Sequence, residues 1–106
     1  YLGRTTDYKN FEWLQKTMKE LEIPLLHPEN VSDDVVHALL SNAKLCVTAS
    51  LWEGYGRGPA EAQQLGVAVG CYDTGAHKNI VTKGEVVPLG NKKQFKKAVK
   101  KWWVKK

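Results

Sequence analysis

No apolar run in this 106-residue chain approaches the length needed to span a bilayer, which excludes a helical membrane span within these residues. No leader segment opens the chain either. That second absence excludes little. A chain that begins at Tyr1 without methionine, already on a strand-like apolar segment, reads as a piece of something longer. Cysteine is scarce. Cys46 and Cys71 each sit inside an apolar strand-like run, LCVTAS and VAVGCYD, with neither metal-ligand spacing nor a disulfide framework. Both are expected to be buried free thiols that pack as small hydrophobes, consistent with a reducing compartment. Internal repeats are missing. The one compositionally biased segment is the lysine-rich end. Asn30-Val31-Ser32 fits a glycosylation acceptor, a match taken as chance in a cytoplasmic domain.

Acidic residues are missing from one place in particular. Residues 92–106 hold eight of the sixteen Lys and Arg and no Asp or Glu; the rest of the chain carries eight basic and eleven acidic side chains and sums to −3. The net charge of +5 therefore belongs to the tail. There, Phe95, Val99, Trp102 and Trp103 share one helical face with lysines opposite. Such a helix either docks on the domain or lies on an anionic membrane, and docking is the preferred expectation.

Short apolar runs alternate with helical patterns along the chain. Tyr1-Leu2-Gly3 reads as the end of a strand, and Phe11, Leu14, Met18 and Leu21 predict a helix over 10–22. Residues 23–27 predict a short strand closed by Pro28. Ser32 is an N-cap for a helix over 33–42, and 45–49 reads as a buried strand. Pro59 suits the first position of a helix running to Leu65, with Gly66 as its stop. A strand over 67–72, a turn or short helix at 79–82, a strand over 85–89 and a helix from Lys92 complete the pattern. Alternation at this period predicts a Rossmann-like three-layer α/β domain with a parallel sheet of about five strands. Residues 1–90 form the domain proper and 91–106 a basic amphipathic helix belonging to it.

In such sheets ligands bind beyond the carboxyl ends of the strands. Gly3-Arg4, His27-Pro28, Ser50–Gly58 and Asp73–His77 all fall at those ends and should share one edge. The richest stretch is Glu53-Gly54-Tyr55-Gly56-Arg57-Gly58-Pro59-Ala60-Glu61, with two carboxylates eight positions apart around three glycines and a proline. It predicts a tight loop feeding a helix N-terminus, where free N–H groups and the dipole favour phosphate. Glu61 falls in the first turn of that helix, a position that equally serves as a plain dipole or capping carboxylate. Arg4 and Lys9 can reach the same anion, Arg as a planar fork and Lys as a point charge. Taken alone, they could equally be a solvated surface pair. Trp52 reads as a packing residue, His37 as helix surface, His77 as a loop residue at the binding edge, and the Arg57 side chain as solvent-facing.

Gly3-Arg4 with Lys9, then Glu53-Gly54-Tyr55-Gly56 and Glu61-Ala62, then Gly66 before an apolar strand, together resemble the C-terminal donor-binding domain of GT-B retaining glycosyltransferases, family four (group 1) type. The resemblance covers roughly residues 1–90. It implies that Arg4 and Lys9 hold the donor diphosphate, Glu53 supports the transferred sugar at its reacting centre, and Glu61 binds ribose hydroxyls. Main-chain amides of Gly54, Tyr55 and Gly56, with Gly3, reach sugar and phosphate, and 27–31 lie towards the base. It further implies a metal-independent hexosyltransferase without a cofactor, acting on a UDP- or GDP-linked sugar and an unknown acceptor (glycan, lipid or small molecule). Its missing N-terminal domain would hold the acceptor residues, leaving the isolated piece weak or inactive. The chain has no Asp-x-Asp pair to hold a metal. It departs from the family pattern at Asn10, Ala68 and Asn79, and in the short span between Gly3 and Ile23. Two rivals stand beside this reading. One is a non-catalytic Rossmann-like module whose basic tail attaches to membrane or nucleic acid. The other is a different GT-B enzyme, such as a phosphorylase or a nucleotide-sugar epimerase.

Overall fold

The computed structural model describes residues 1, 10–28, 31–52 and 57–104, with Arg57 described in its backbone alone. Among the described residues five helices and three strands follow in the order α1 Phe11–Glu20, α2 Asp33–Ser41, β1 Cys46–Val47, α3 Arg57–Gln64, β2 Val69–Tyr72, α4 His77–Ile80, β3 Gly84–Val87 and α5 Lys92–Val104. Among the described residues the strands form one parallel sheet in the order β1-β2-β3. Cys46 pairs with Val69, and Val69 in turn with Gly84.

The sheet is covered on both faces, and strand alternation decides which side chain goes where. Val47, Tyr72 and Val87 face α1 and α5, packing with Leu14, Met18, Phe95, Ala98 and Val99. Cys46, Val69 and Cys71 face the other way, onto Leu40 of α2 and Ala62 of α3. Three layers result, as the alternating pattern predicts. The first face is built on aromatic rings. Phe95 lies 5.0 Å from Tyr72 and 5.3 Å from Trp13, centroid to centroid. With Phe95, Ala98 and Val99 buried, α5 is docked on the sheet. Lys101 pairs with Glu85 at 3.4 Å, and the Trp102 indole N–H donates to the same carboxylate at 3.3 Å.

The helix ends follow local chemistry. The Ser32 hydroxyl accepts from the Val35 N–H, so the predicted cap forms. Gly66 takes a left-handed conformation (φ 74°), while its N–H donates to Gln63 and that of Val67 to Ala62, which closes α3 in the doubly bonded C-terminal motif. Helix α1 ends the same way without a glycine: Glu22 adopts φ 58°, and the Ile23 N–H reaches the Met18 carbonyl. Asn10 is also at φ 58°. Asn is among the residues that tolerate this region.

The structure corrects three expectations. Residues 23–28 form no strand. Pro24 and Pro28 bring no N–H to a ladder, and Leu26 is 68% exposed; the Tyr1 amino group donates to the Leu26 carbonyl at 2.9 Å. The described sheet therefore has three strands rather than about five, and of the expected first strand only Tyr1 lies within the described residues. Helix α3 starts at Arg57, so Pro59 is its third residue and Glu61 its fifth, outside the first turn. Pro is tolerated there because the early N–H groups of a helix have no intrahelical acceptor.

One stabilising device left no trace in the pattern. The Gln63 amide donates to the carbonyls of Val67 (2.9 Å) and Lys83 (2.8 Å), and its oxygen accepts from the N–H groups of Thr82 (2.6 Å) and Lys83 (2.7 Å). It thereby ties the end of α3 to the turn that launches β3. Gln63→Ala should lower stability by about 2 kcal/mol, read as an earlier urea midpoint with an unchanged slope. Gly84 opens β3 at φ 129°, and a Cβ built there would stand 2.0 Å from the Val69 carbonyl oxygen. Gly84→Ala should cost about 3 kcal/mol, measured the same way. Burial pushes the Cys71 thiol up from its ordinary 9.0 to about 12, with Cys46 and Asp73 adding to the shift. The unfolded chain gives up this proton first, so stability should fall as pH rises from 9 towards 12, and a thiol reagent at pH 8 should label neither cysteine until denaturant is added.

Candidate functional site

Parallel strands end together, so the segments after β1 and β2 emerge on one edge of the sheet. After β1 the chain turns through Thr48 to Trp52. The Thr48 and Ser50 hydroxyls lie 3.2 Å apart, and both residues are buried. After β2 comes Asp73–Ala76, and the Thr74 hydroxyl donates to the Leu51 carbonyl at 3.5 Å. Two of the four segments expected to converge are thus joined. The chain then re-enters regular structure at Arg57, where α3 begins. Glu61 lies on this helix, half-buried and engaged by a partner.

His77 departs most from its sequence reading. It is not a loop residue at a binding edge but the first residue of α4, with no exposed surface. Its Nδ1 lies 2.9 Å from the Tyr72 carbonyl, which makes Nδ1 the protonated nitrogen and leaves Nε2 an acceptor. Among the described residues neither the buried Nε2 nor the buried Tyr72 hydroxyl has a hydrogen-bond partner. No spacing rule announces this, because the burial comes from α4 packing against α3.

The remaining site residues fall into two groups. His27 packs its ring 5.2 Å from Tyr1 and 4.6 Å from Phe11, which ties it to α1 rather than to the loops after β1 and β2. Trp52 is 66% exposed, so the expectation that it serves as a packing residue is not met, and His37 is exposed on α2 as read. Gly3, Arg4, Lys9, Glu53, Gly54, Tyr55 and Gly56, and the Arg57 side chain, lie outside the described residues, as do residues 29 and 30. Of the site residues read from the motif, Glu61 is the one described, and α3 carries it from the helix start at which an anion is favoured.

No helix among the described residues is long and apolar enough to cross a membrane. No curated protein and no solved structure matches the chain significantly. The family model described as glycosyl transferases group 1 matches residues 1–105, nearly the whole chain. The α/β architecture with its parallel sheet and the Glu53–Glu61 motif leading into α3 agree with that match, and the chain belongs to the group 1 glycosyltransferases.

Proposed function

We propose that this chain is the donor-binding domain of a retaining, metal-independent GT-B glycosyltransferase that moves a hexose from a UDP- or GDP-linked sugar to an acceptor held by another domain. The observation that carries the reading is the joint between the Glu53–Gly56 segment and α3. The helix begins at Arg57, immediately after this segment, and has Glu61 four residues on, about 6 Å further along its axis.

A helix N-terminus behind a glycine-rich segment offers free amides and a partial positive charge to a diphosphate. In this reading Arg4 and Lys9 add full charges, and Gly3, Gly54, Tyr55 and Gly56 add main-chain N–H donors. Cleavage of the sugar–phosphate bond moves negative charge onto the departing diphosphate. Fixed cations and amides stabilise that charge as it develops, without having to reorganise. Glu53 lies on the sugar side and supports the positive charge that grows at the anomeric carbon; no covalent role is assigned to it. Glu61 accepts from ribose hydroxyls and so reads the nucleoside rather than the phosphates. The buried Thr48–Ser50 pair and the Thr74–Leu51 bond, which order the segments after β1 and β2, support this reading.

Calorimetric titration with UDP, GDP and ADP should find one that binds. Arg4→Ala and Lys9→Ala should each weaken it about tenfold or more, and pyrophosphate with it. Glu61→Ala should weaken the nucleotide by a similar factor and leave pyrophosphate unchanged. Indifference to all three nucleotides, or a Glu61→Ala effect that is equal on pyrophosphate, would remove the reading.

A further inference from the structure

A cavity lies along the outer side of β1. It has a volume of about 300 Å³, within the range of small-molecule sites, and is bounded by α2, the 23–28 segment, the approach to β1 and the end of α5. Its described walls are almost wholly apolar, with Met18, Ile23, Leu39 and Leu45 among them, and among the described residues no carboxylate lines it. The one charged side chain on the described lining is the exposed Lys44, whose Nζ sits 4.3 Å from the centre of the Trp103 ring, itself part of the wall. Lys44 pairs with no carboxylate among the described residues.

Apolar side chains around the cavity are left exposed. Leu40 is the single buried residue of α2, while Val35 and Leu39 on the same helix stay exposed, as do Leu26 and Val31 beside it. An empty apolar cavity forfeits the dispersion contacts its lining would otherwise make. Apolar surface gathered around a cavity and rimmed by a cation marks a binding site more often than an idle surface. A neutral hydrocarbon would leave the ammonium unused, and a cationic amphiphile would be repelled by it. We propose that this cavity binds the acyl chain of an anionic amphiphile, with Lys44 meeting its carboxylate or phosphate head. The apolar face of α5 is already buried on the sheet and its Lys101 is paired with Glu85, so the head group falls to Lys44.

The test uses the intact chain and three soluble probes: dodecanoate, dodecyl phosphate and dodecyltrimethylammonium. Calorimetry should give one site for each of the two anions and none for the cation, with a change in tryptophan fluorescence on binding. Lys44→Glu should weaken the anions about tenfold or more. Leu39→Trp, which fills the cavity from an exposed position, should abolish binding while circular dichroism stays unchanged. Flotation with phosphatidylglycerol vesicles then separates the sources. Attachment lost in both variants assigns the site to a bilayer lipid, whereas dodecanoate binding without attachment assigns it to a free fatty acid. Equal binding of the cation, no binding of any probe, or vesicle attachment that survives Leu39→Trp would overturn the proposal. So would a dimer, seen by sedimentation, that Leu26→Asp dissociates in a chain that binds no probe. Nucleotide titration of Lys44→Glu should be unaffected, so this idea and the donor reading stand or fall separately.

Discussion

Burial of β2 is the constraint on which the rest of the structure depends. Val69, Gly70, Cys71 and Tyr72 are all buried. The strand is paired along both edges and covered on both faces, so its backbone groups must be satisfied by neighbouring strands. They are: Cys46 donates to Ala68, Thr48 to Gly70, Val69 to Lys83 and Asp73 to Val87. Such a strand cannot slip by one residue without exchanging the aromatic face for the thiol face. Its register therefore sets where β1 and β3 stop, and with them the edge at which the loops emerge.

That edge and the outer side of β1 differ in character. The segments after β1 and β2 are joined by the Thr74 hydroxyl at the Leu51 carbonyl. Along the outer side of β1, two prolines keep the 23–28 segment out of the ladder, α2 is held chiefly by Leu40, and an apolar cavity is left between them. The basic helix α5 connects the two regions. Its apolar face completes the core around Phe95, and its last turns bring Trp102 and Trp103 to Glu85 and Lys44.

Much of the element pattern was legible because it is local. Leu14 and Met18 recur at helical spacing, Ser32 precedes its helix, and Gly66 follows one, so α1, α2 and the end of α3 stand within a few residues of expectation. Apolar periodicity misled at 23–27, where ladder partners matter more than side-chain character. The start of α3 was also displaced, because Pro59 is compatible with any of the first helical positions. His77 looked like a loop residue because nothing local says that α4 closes over it. The Gln63 clamp was illegible for the same reason: its partners at 82–83 are nineteen and twenty residues away.

The sequence alone determined the alternating α/β class, the basic C-terminal helix with its one apolar face and, through Glu53, the glycines and Glu61, the family resemblance. These rest on propensities and spacings that act within a few residues or are carried in the motif itself. That the basic helix docks was decided by its packing on the sheet. Tertiary structure alone decided the strand pairing, the withdrawal of residues 23–28 from the sheet, the burial of His77 and the cavity beside Lys44. Each of these depends on which distant surfaces meet, and burial and unpaired backbone groups are settled only once the layers have closed.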